Sequence, residues 1–367
     1  MSVVYKKLED VCEILDSRRV PITAKDRKAG TYPYYGANGL QDYVADYIFD
    51  DELVLLAEDG GNFGSKERPI AYRVSGKCWV NNHAHVLKAK SNMHVDYLCY
   101  ALMFYDTEGL VNGATRQKLT QAAMRQMVIP YRNMTEQLQI IKKISQIVRS
   151  IEKRKEELQL LDQLVKSRFI ELFGDPQRNP HGYKHTKLSD IATYYNGLTY
   201  KPENVAAEGT IVLRSSNIQN SQLDFADTIR VDCAIKERLM VQKNDILMCS
   251  RNGSAKLVGK VALIKDIQEP MSFGAFMMII RSHYFGYLMT YFQMDAFRQQ
   301  IKTGATTTIN QITGRMLDDV TIPLPPMALV DQFAAFVEQT DKSKLAVQKG
   351  LQELEILKKS LMQQYFG

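Results

Sequence analysis

The chain has 367 residues, of which 45% are hydrophobic and 24% are charged. This composition is typical of a water-soluble protein with room for two domains of ordinary size. The longest apolar runs, such as residues 276–280, have the length of a strand, whereas a bilayer span requires about 20 apolar residues. Residues 1–7 contain no apolar signal core, so neither a membrane protein nor an exported protein is expected.

The charge and the cysteines indicate a partner and a compartment. The net charge of +6 and the isoelectric point near 8.8 lean towards a polyanionic partner, although charge alone is weak support. The five cysteines are scattered and lack CxxC spacing. This pattern favours free thiols in a reducing cytoplasm over a disulfide framework or a zinc site.

In chain order, the sequence alternates short apolar strands with polar loops. Residues 52–57 predict a buried strand that is followed by a glycine-bearing loop at 58–66, and residues 245–250 predict a strand that is followed by a similar loop at 251–256. The mixture of strands and helices predicts an α+β domain that is used twice. The other predicted elements are strands at 70–74, 84–88, 211–214, 258–264 and 275–281 and helices at about 95–105 and 285–298.

The clearest internal signal is a duplicated segment. Residues 113–174 and 304–367 both begin Gly-Ala-Thr, pass an Ile-Pro step, and end in an aromatic residue followed by glycine. From Ile129 and Ile322 onwards the two copies align without gaps. The segments before them diverge soon after a short match near residues 7–11. This pattern predicts a pseudo-symmetric scaffold that carries two different globular parts.

Each copy contains a long amphipathic helix. Its apolar residues follow the alternating four–three spacing of a coiled-coil seam. About 38 residues at roughly 1.5 Å each extend near 55 Å, which exceeds the width of a domain of about 130 residues. The apolar stripe therefore needs a partner, and we expect an antiparallel coiled coil with the other helix, although a lone helix packed on its own domain is the simpler alternative. The expected seam residues are Ile144, Ile151, Leu158, Leu161, Val347, Leu351, Leu354 and Leu361.

These patterns divide the chain into five parts. We predict a globular domain at 1–134, a long helix at 135–173, a linker turn at 174–182, a second globular domain at 183–326 and a second long helix at 327–367. The linker is rich in Gly, Pro and Asn, which end helices.

Candidate catalytic and metal-binding residues are few. The glycine loops match neither GxxxxGK[ST] nor GxGxxG, so a nucleotide site is not expected. His83 and His85 alternate as a metal pair would, but no third ligand is evident and a structural role is favoured. The acidic residues between 46 and 59 match no nuclease motif, and we read them as a solvated loop. Because the glycine-rich cofactor loop and the Asn-Pro-Pro-aromatic tetrad of a methyltransferase are also absent, we predict no catalytic residue, metal or cofactor.

Arginine, asparagine and glutamine recognise base edges in the major groove of DNA, and such residues recur on loops in both halves of the chain. Any one of them could equally be an ordinary surface residue; the recurrence favours DNA contacts for the group. Basic residues near the N-terminus are expected to contact phosphates. The predicted DNA-binding residues of the first half are Arg18, Arg19, Lys25, Arg27, Lys28, Asn62, Lys66, Arg116, Gln117 and Lys118. Those of the second half are Arg214, Ser215, Asn217, Arg251, Asn252, Lys256, Thr306, Thr307 and Asn310.

This arrangement resembles a known family. A variable domain, a long helix that ends Leu-Phe-Gly-Asp-Pro at 172–176, a second variable domain and a second long helix are together similar to the specificity subunit of type I restriction–modification systems. The resemblance covers essentially the whole chain. It implies two target recognition domains that each read one half of a split site in double-stranded DNA. It further implies that the helices set the spacing of the half-sites and bind two modification (methyltransferase) subunits, that restriction (translocase and nuclease) subunits join the complex, and that this chain is non-catalytic.

Two other classes of protein stay open. An enzyme with a fused nuclease would need a catalytic domain, for which two reading domains and two helices leave no room. A coiled-coil adaptor that binds only proteins would keep the helices, but it would not explain the duplicated loops that carry Arg and Asn. Binding to mixed-sequence duplex DNA separates these two possibilities.

Overall fold

The computed structural model describes residues 3–113, 115–302 and 310–367 of the chain. The chain forms two compact units. The first unit contains residues 1–156 and 348–367, and the second unit contains residues 157–347. Within the described ranges, none of the helices combines the length and the apolar character that a membrane span requires.

The first unit is built on a six-stranded sheet. Its elements are β1 (Val4–Lys7), α1 (Leu8–Val11), β2 (Cys12–Ile14), β3 (Ala29–Gly36), β4 (Gly39–Val44), β5 (Phe49–Ala57), β6 (Ala71–Val80), β7 (Ala84–Ala89), α2 (Val95–Met103), β8 (Val111–Asn112), β9 (Lys118–Leu119), α3 (Gln121–Gln126), β10 (Val128–Tyr131) and the first part of α4 (Met134–Phe173). The strand order is β2-β7-β5-β6-β3-β4, and all neighbours are antiparallel except β3 and β6. Two small sheets, β1-β10 and β8-β9, complete the unit.

The central strand of the first unit is buried on both faces. Val54 and Leu56 pack into a core beneath α2, and Leu53 and Leu55 pack into a separate core on the opposite face. Because both faces are covered, β5 has a continuous apolar sequence in place of an alternating one. The predicted strand at 52–57 is thus confirmed as the C-terminal part of β5.

The second unit contains two four-stranded sheets whose strands are interleaved along the chain. Its elements are the end of α4, β11 (His185–Lys187), α5 (Leu188–Ile191), β12 (Thr193–Asn196), β13 (Val205–Ala206), β14 (Thr210–Leu213), β15 (Ile218–Gln219), β16 (Gln222–Leu223), β17 (Ile229–Val231), β18 (Ile246–Cys249), β19 (Val261–Leu263), β20 (Met271–Phe273), β21 (Met277–Arg281), α6 (Phe285–Tyr291), α7 (Asp295–Lys302), α8 (Gly314–Asp318), β22 (Thr321–Pro323) and the first part of α9 (Met327–Phe366). The two larger sheets have the orders β12-β21-β18-β19 and β13-β17-β14-β20. Two further pairs are β11-β22 and β15-β16.

The strand β18 corresponds to β5 of the first unit. Ile246 and Met248 face one core, whereas Leu247 and Cys249 face the other. The neighbouring strand β21 pairs with β18 in the same antiparallel register that β7 adopts beside β5, since Cys249 lies opposite Met277 as Ala57 lies opposite Ala84. Each unit therefore has its own central sheet, and the two sheets have the same strand pairing despite their different sequences.

The long helices pair in opposite directions within each unit. In the first unit, Lys155 near the middle of α4 forms an ion pair of 3.5 Å with Glu355 of α9. In the second unit, Asp162 accepts from Lys344 at 2.6 Å, and the rings of Phe169 and Phe333 lie 5.6 Å apart. The predicted α+β fold with two long helices in an antiparallel pair is confirmed. Of the expected seam residues, Ile144, Ile151 and Val347 are buried, and Leu158, Leu161, Leu351, Leu354 and Leu361 are half-buried.

Each long helix ends against a buried tyrosine. The ring of Phe366 lies 5.1 Å from Tyr97 in the first unit, and the ring of Phe173 lies 5.1 Å from Tyr287 in the second. Each tyrosine hydroxyl donates to the carbonyl of the proline in the Ile-Pro step, at 3.0 Å for Tyr97 and 3.1 Å for Tyr287. The duplicated Phe-Gly and Ile-Pro motifs therefore meet at equivalent joints.

Two predicted elements differ from the structure. The predicted helix at 285–298 is two helices, α6 and α7. The break occurs because Gln293 and Met294 donate to carbonyls three residues back, which tightens the turn and buries both Phe292 and Phe297. The predicted strand at 258–264 is limited to β19, and the hairpin of β3 and β4 was not predicted.

Candidate nucleic-acid interface

Two loops of the first unit meet where β5 ends. Residues 58–60 follow β5, and residues 116–119 include β9; we call them the first loop pair. The backbone nitrogen of Leu119 donates to the carbonyl of Glu58 at 2.7 Å, and that of Gly60 donates to Gln117 at 3.1 Å. Between them, Asp59 and Lys118 form a single antiparallel bridge. Loops that are far apart in sequence are thereby fixed side by side.

The first loop pair holds an exposed arginine in a defined orientation. The guanidinium of Arg116 donates from Nη2 to Asp59 Oδ1 at 2.6 Å, and its side chain is 59% exposed. The Nδ1 atom of His83 lies 2.7 Å from the same carboxylate oxygen. A Cβ at Gly60 would stand 3.2 Å from Arg116 Nε, so the guanidinium lies against the glycine backbone. Asp59 and Gly60 therefore restrict the positions that the guanidinium can take.

A buried charged cluster lies beneath the first loop pair; it consists of Asp16, Arg19, Glu58 and His85. The Nδ1 atom of His85 lies 2.7 Å from Asp16 Oδ2, and Nε2 lies 2.9 Å from the carbonyl oxygen of Leu119. Arg19 Nη1 donates to Glu58 Oε2 at 2.6 Å and to the carbonyl of Ala84 at 2.7 Å. The cluster thus joins β7, the loop after β2 and both loops of the first pair.

The cluster lowers the pKa of both of its carboxyl groups. Burial by itself raises the pKa of Asp16, but hydrogen bonds from His85 and from the Val86 backbone, with the charges of His85 and Arg19, outweigh burial and lower it. Burial likewise raises the pKa of Glu58, and hydrogen bonds from Arg19 and Lys118 reverse the effect and lower it. Both groups are therefore held in the ionised form.

Asp16, Glu58 and His85 are close enough to be considered as metal ligands, because their ligand atoms lie within 4.8 Å of one another. No third ligand for the histidines is evident in the sequence, and the fold brings these two carboxylates to His85. However, the two ring nitrogens of His85 lie against the Asp16 carboxylate and the Leu119 carbonyl, so the imidazole is already held by protein partners. The carboxylate of Glu58 is likewise engaged, because it forms an ion pair with Arg19 at 2.6 Å. We therefore assign these residues a structural role, and Glu58 is not part of a solvated acidic loop.

The second unit joins two loops in a similar manner. Residues 250–252 follow β18 and lie beside residues 310–312; we call them the second loop pair. The backbone nitrogen of Ile312 donates to the carbonyl of Ser250 at 2.7 Å, and that of Asn252 donates to Asn310 at 3.3 Å. Arg251 and Gln311 form the bridge between them.

The second loop pair also presents an arginine. The guanidinium of Arg251 lies 5.5 Å from the centre of the Phe276 ring, and Phe276 is 58% exposed. Such a cation–π contact orients the arginine without neutralising its charge. The amide of Asn252 lies close by and donates to Ser215 Oγ at 3.4 Å.

The structure brings seven of the predicted DNA-binding residues to the loop pairs or beside them. They are Arg116, Gln117, Lys118, Ser215, Arg251, Asn252 and Asn310. Four other predicted residues, Lys25, Lys28, Lys66 and Lys256, are exposed elsewhere. Arg18 and Arg27 lie over the rings of Phe49 and Tyr34, and Asn62 is half-buried. Thr306 and Thr307 fall outside the described residues.

Internal partners that the sequence did not indicate also engage Arg19, Asn217 and Arg214. The Arg19 side chain is only 13% exposed and belongs to the buried cluster, so it has little access to a phosphate. Asn217 is fully buried, and its amide donates to the carbonyls of Asp224 and Asp227. Arg214 pairs with Asp227 at 2.8 Å. We assign Arg19 and Asn217 to structure in place of DNA contact.

Three residues of the candidate interface were not predicted as DNA contacts. Asp59 and His83 were considered only as acidic or metal-binding residues, and Phe276 only as part of an apolar run. His83 and Phe276 each stand immediately before the strand that pairs with the central strand, β7 or β21. An exposed aromatic ring immediately before an otherwise buried strand is the signal that the sequence offers.

Comparison with known proteins accounts for the repeated architecture. The sequence model of the type I restriction modification DNA specificity domain matches residues 2–161 and again residues 180–356. The chain belongs to this family. A specificity-subunit relative from Haemophilus influenzae, described as a putative S.HindORF215P subunit, is 37% identical over 38% of this chain and 36% of its own length. The EcoKI specificity subunit of Escherichia coli is 28% identical over 45% of this chain and 38% of its own. The matches thus span well under half the length of these relatives.

Solved structures of the family share the fold of the whole chain. The crystal structure of a type I restriction–modification S subunit from M. genitalium aligns with a TM-score of 0.60 at 14% identity, and the alignment covers 100% of this chain and 96% of that one. A chain from a structural study of the assembly and conformational transition of a type I system aligns with a TM-score of 0.57 at 15% identity. At these identities the likeness concerns the fold of the specificity subunit.

Proposed function

We propose that this chain is the sequence-specific DNA-binding subunit of a type I restriction–modification complex. Residues 1–134 and 183–326 would form the two target recognition domains, and each would read one half of a bipartite site in double-stranded DNA. The observation that carries the proposal is the second match to the DNA specificity domain, together with an exposed arginine on an anchored loop pair in each unit. Guanidinium and amide groups are the donors that distinguish bases in the major groove.

The long helices are the proposed docking sites of two modification subunits, and restriction subunits would join the larger complex. Several large apolar side chains on α4 and α9 are 41% to 70% exposed: Leu138, Leu160, Leu164, Ile170, Leu345, Ile356 and Leu357. Exposed apolar side chains in such numbers are typical of surfaces that bind other proteins. Methyl transfer is assigned to the modification subunits, and this chain is proposed to act without a cofactor or a catalytic residue of its own.

The proposal predicts salt-dependent, sequence-specific DNA binding by the complex. The chain purified with its modification subunit should bind duplex DNA, and the affinity should fall as salt rises, because contacts to phosphates release counterions. Binding is measured by fluorescence anisotropy over a salt series, and methylation is measured with labelled S-adenosylmethionine. The chain alone should transfer no methyl group; turnover by the single purified chain would contradict the non-catalytic role. Equal affinity for every duplex sequence would contradict sequence-specific reading, and failure of the complex to bind any duplex would favour the protein adaptor.

We further predict that the helices set the distance between the two half-sites. Seven residues inserted after Leu158 and after Leu351 keep the seam in phase and lengthen each helix by about 10 Å. DNA rises roughly 3.4 Å per base pair, so the spacer should grow by at most about three base pairs. Three steps also turn the duplex by about a quarter of its repeat near 10.5 base pairs, and weaker binding is expected. Sequencing of methylated genomic DNA gives the spacer directly; an active lengthened protein that keeps the original spacer refutes this role.

A further inference from the structure

The first loop pair and the second loop pair have the same backbone hydrogen bonds. In the first unit, the nitrogens of Glu58 and Asp59 both donate to the carbonyl of His83, at 2.9 and 3.4 Å. In the second unit, the nitrogens of Ser250 and Arg251 both donate to the carbonyl of Phe276, at 3.0 and 3.1 Å. The loop after the central strand is therefore anchored identically on the residue that precedes β7 or β21.

The second loop of each pair is anchored in the same way. The bonds from Leu119 to Glu58 and from Ile312 to Ser250 are both 2.7 Å long. Immediately afterwards, the hydroxyl of Thr120 accepts from Ala123 N, and the hydroxyl of Thr313 accepts from Met316 N. Each threonine thereby caps the next short helix. The backbone frame thus recurs even though the residues before the duplicated helices share little sequence.

The side chains on this common frame differ in chemistry. Asp59 occupies the position of Arg251, and His83 occupies the position of Phe276. A frame that is held by backbone bonds places any side chain at the same points, so residues can change there without a change of fold. Buried positions next to the frame do not have this freedom, because they must fill a core. A constant backbone that carries variable, accessible side chains allows related domains to recognise different DNA sequences.

We propose that the two loop pairs are the specificity-determining sites of the two domains, and that each presents one arginine, Arg116 or Arg251, to a guanine in the major groove. The proposal rests on the proposed function. Arginine that is bidentate to guanine O6 and N7 is the commonest specific contact, and it requires an oriented guanidinium. Asp59 and Gly60 orient Arg116, whereas Phe276 orients Arg251. Asp59 and Phe276 are accordingly positioning residues.

The experiment replaces each arginine by lysine in the complex with the modification subunit, and reads the recognised sequence from methylation of a randomised DNA library. Lysine keeps the charge and loses the bidentate fork. Arg116→Lys should relax one G·C position in one half-site, by roughly 5- to 150-fold in preference, as for a bidentate contact worth about 1–3 kcal/mol. Arg251→Lys should relax one G·C position in the other half-site only. The intact half-site in each variant shows that the protein is folded.

A matched control is Arg178→Lys, because the side chain of Arg178 is 84% exposed in the linker and lies in neither loop pair. Its methylation pattern should equal that of the unchanged protein. For the positioning role, Asp59→Asn should relax the same base as Arg116→Lys, and the double variant should add nothing further. Asp59→Glu, which keeps the carboxylate, should retain more of the base preference than Asp59→Asn. The salt dependence of DNA binding by Asp59→Glu should equal that of the unchanged protein.

The failure of this inference is distinct from failure of the proposed function. If the unchanged complex methylates without sequence preference, the proposed function is wrong. If the unchanged complex is specific and both lysine variants retain every base preference within about twofold, below the weakest contact expected, the assignment of these arginines is overturned. Relaxation of both half-sites by one substitution also overturns it, because each loop pair is assigned to a single domain.

Discussion

Replacement of residues 183–326 by the equivalent segment of another type I specificity subunit is expected to change one half of the methylated site completely and leave the other half intact. The reason is that the two units have separate cores. Val54 and Leu56 belong to a core of the first unit, whereas Ile246 and Met248 belong to a core of the second. The first loop pair makes its described contacts within the first unit, so its geometry should survive the exchange.

The exchanged segment must keep its packing against the long helices. The ring of Phe169 in α4 lies 5.0 Å from the ring of Tyr287 and 5.6 Å from that of Phe333 in α9. The donor segment should therefore keep an aromatic residue at position 287 and the Ile-Pro step at 322–323, or a cavity forms in the second core. Methylome sequencing provides the readout. A donor that recognises the same half-site is the control, and alteration of both half-sites by the exchange contradicts independent reading.

Loss of the imidazole from the buried charged cluster should destabilise the first unit strongly. His85→Met removes one hydrogen-bond partner of the buried Asp16 carboxylate, which keeps Arg19, Gln121 and the backbone nitrogen of Val86. Loss of one partner from a buried polar group costs about 1–3 kcal/mol. The single tryptophan of the chain, Trp79, lies in β6 of this unit, so its fluorescence follows the unfolding of the first unit during denaturation. A midpoint within error of the unchanged protein contradicts a stabilising role for the cluster.

The second unit suggests the compensating variant. By strand register, Met278 stands where the first unit has His85, and its partner Asn196 corresponds to Asp16. The double variant Asp16→Asn, His85→Met removes the charge together with the imidazole, so it should lose less stability than His85→Met alone. A useful control is Glu9→Gln, which breaks a partly exposed pair with Arg125 in the same unit and should barely shift the midpoint, since exposed pairs contribute little.

The same cluster makes the first unit sensitive to acid. The folded pKa values of Asp16 and Glu58 lie below their ordinary values of 3.8 and 4.5. Their contribution to stability is therefore complete above those ordinary values and is lost as the pH falls through the lowered folded pKa values. The free energy of unfolding followed by Trp79 should thus decline below about pH 4.5, and the double variant should show a shallower decline.

Local pattern determined the scaffold from sequence alone. The seam of α4 and α9 repeats with a fixed spacing, so residues such as Ile144 and Val347 identify a buried stripe without knowledge of any distant contact. The Ile-Pro and Phe-Gly motifs revealed the duplication because each is short and contiguous. The continuous apolar run of β5 likewise predicted a strand that is covered on both faces. Each of these signals lies within one segment of the chain, where periodicity and propensity act.

Only the tertiary structure decided how the candidate interface is assembled. Asp16, Glu58 and His85 are separated by tens of residues, and nothing in their local sequence distinguishes a buried ion pair from a solvated carboxylate. The partnership of Arg116 with Asp59, and that of Arg251 with Phe276, depend on backbone bonds between loops that strand pairing brings together. Sequence pattern records which face of an element is apolar, whereas the neighbours of a polar side chain are set by long-range register. The scaffold was therefore predictable, and the orientation of the side chains in the two loop pairs required the fold.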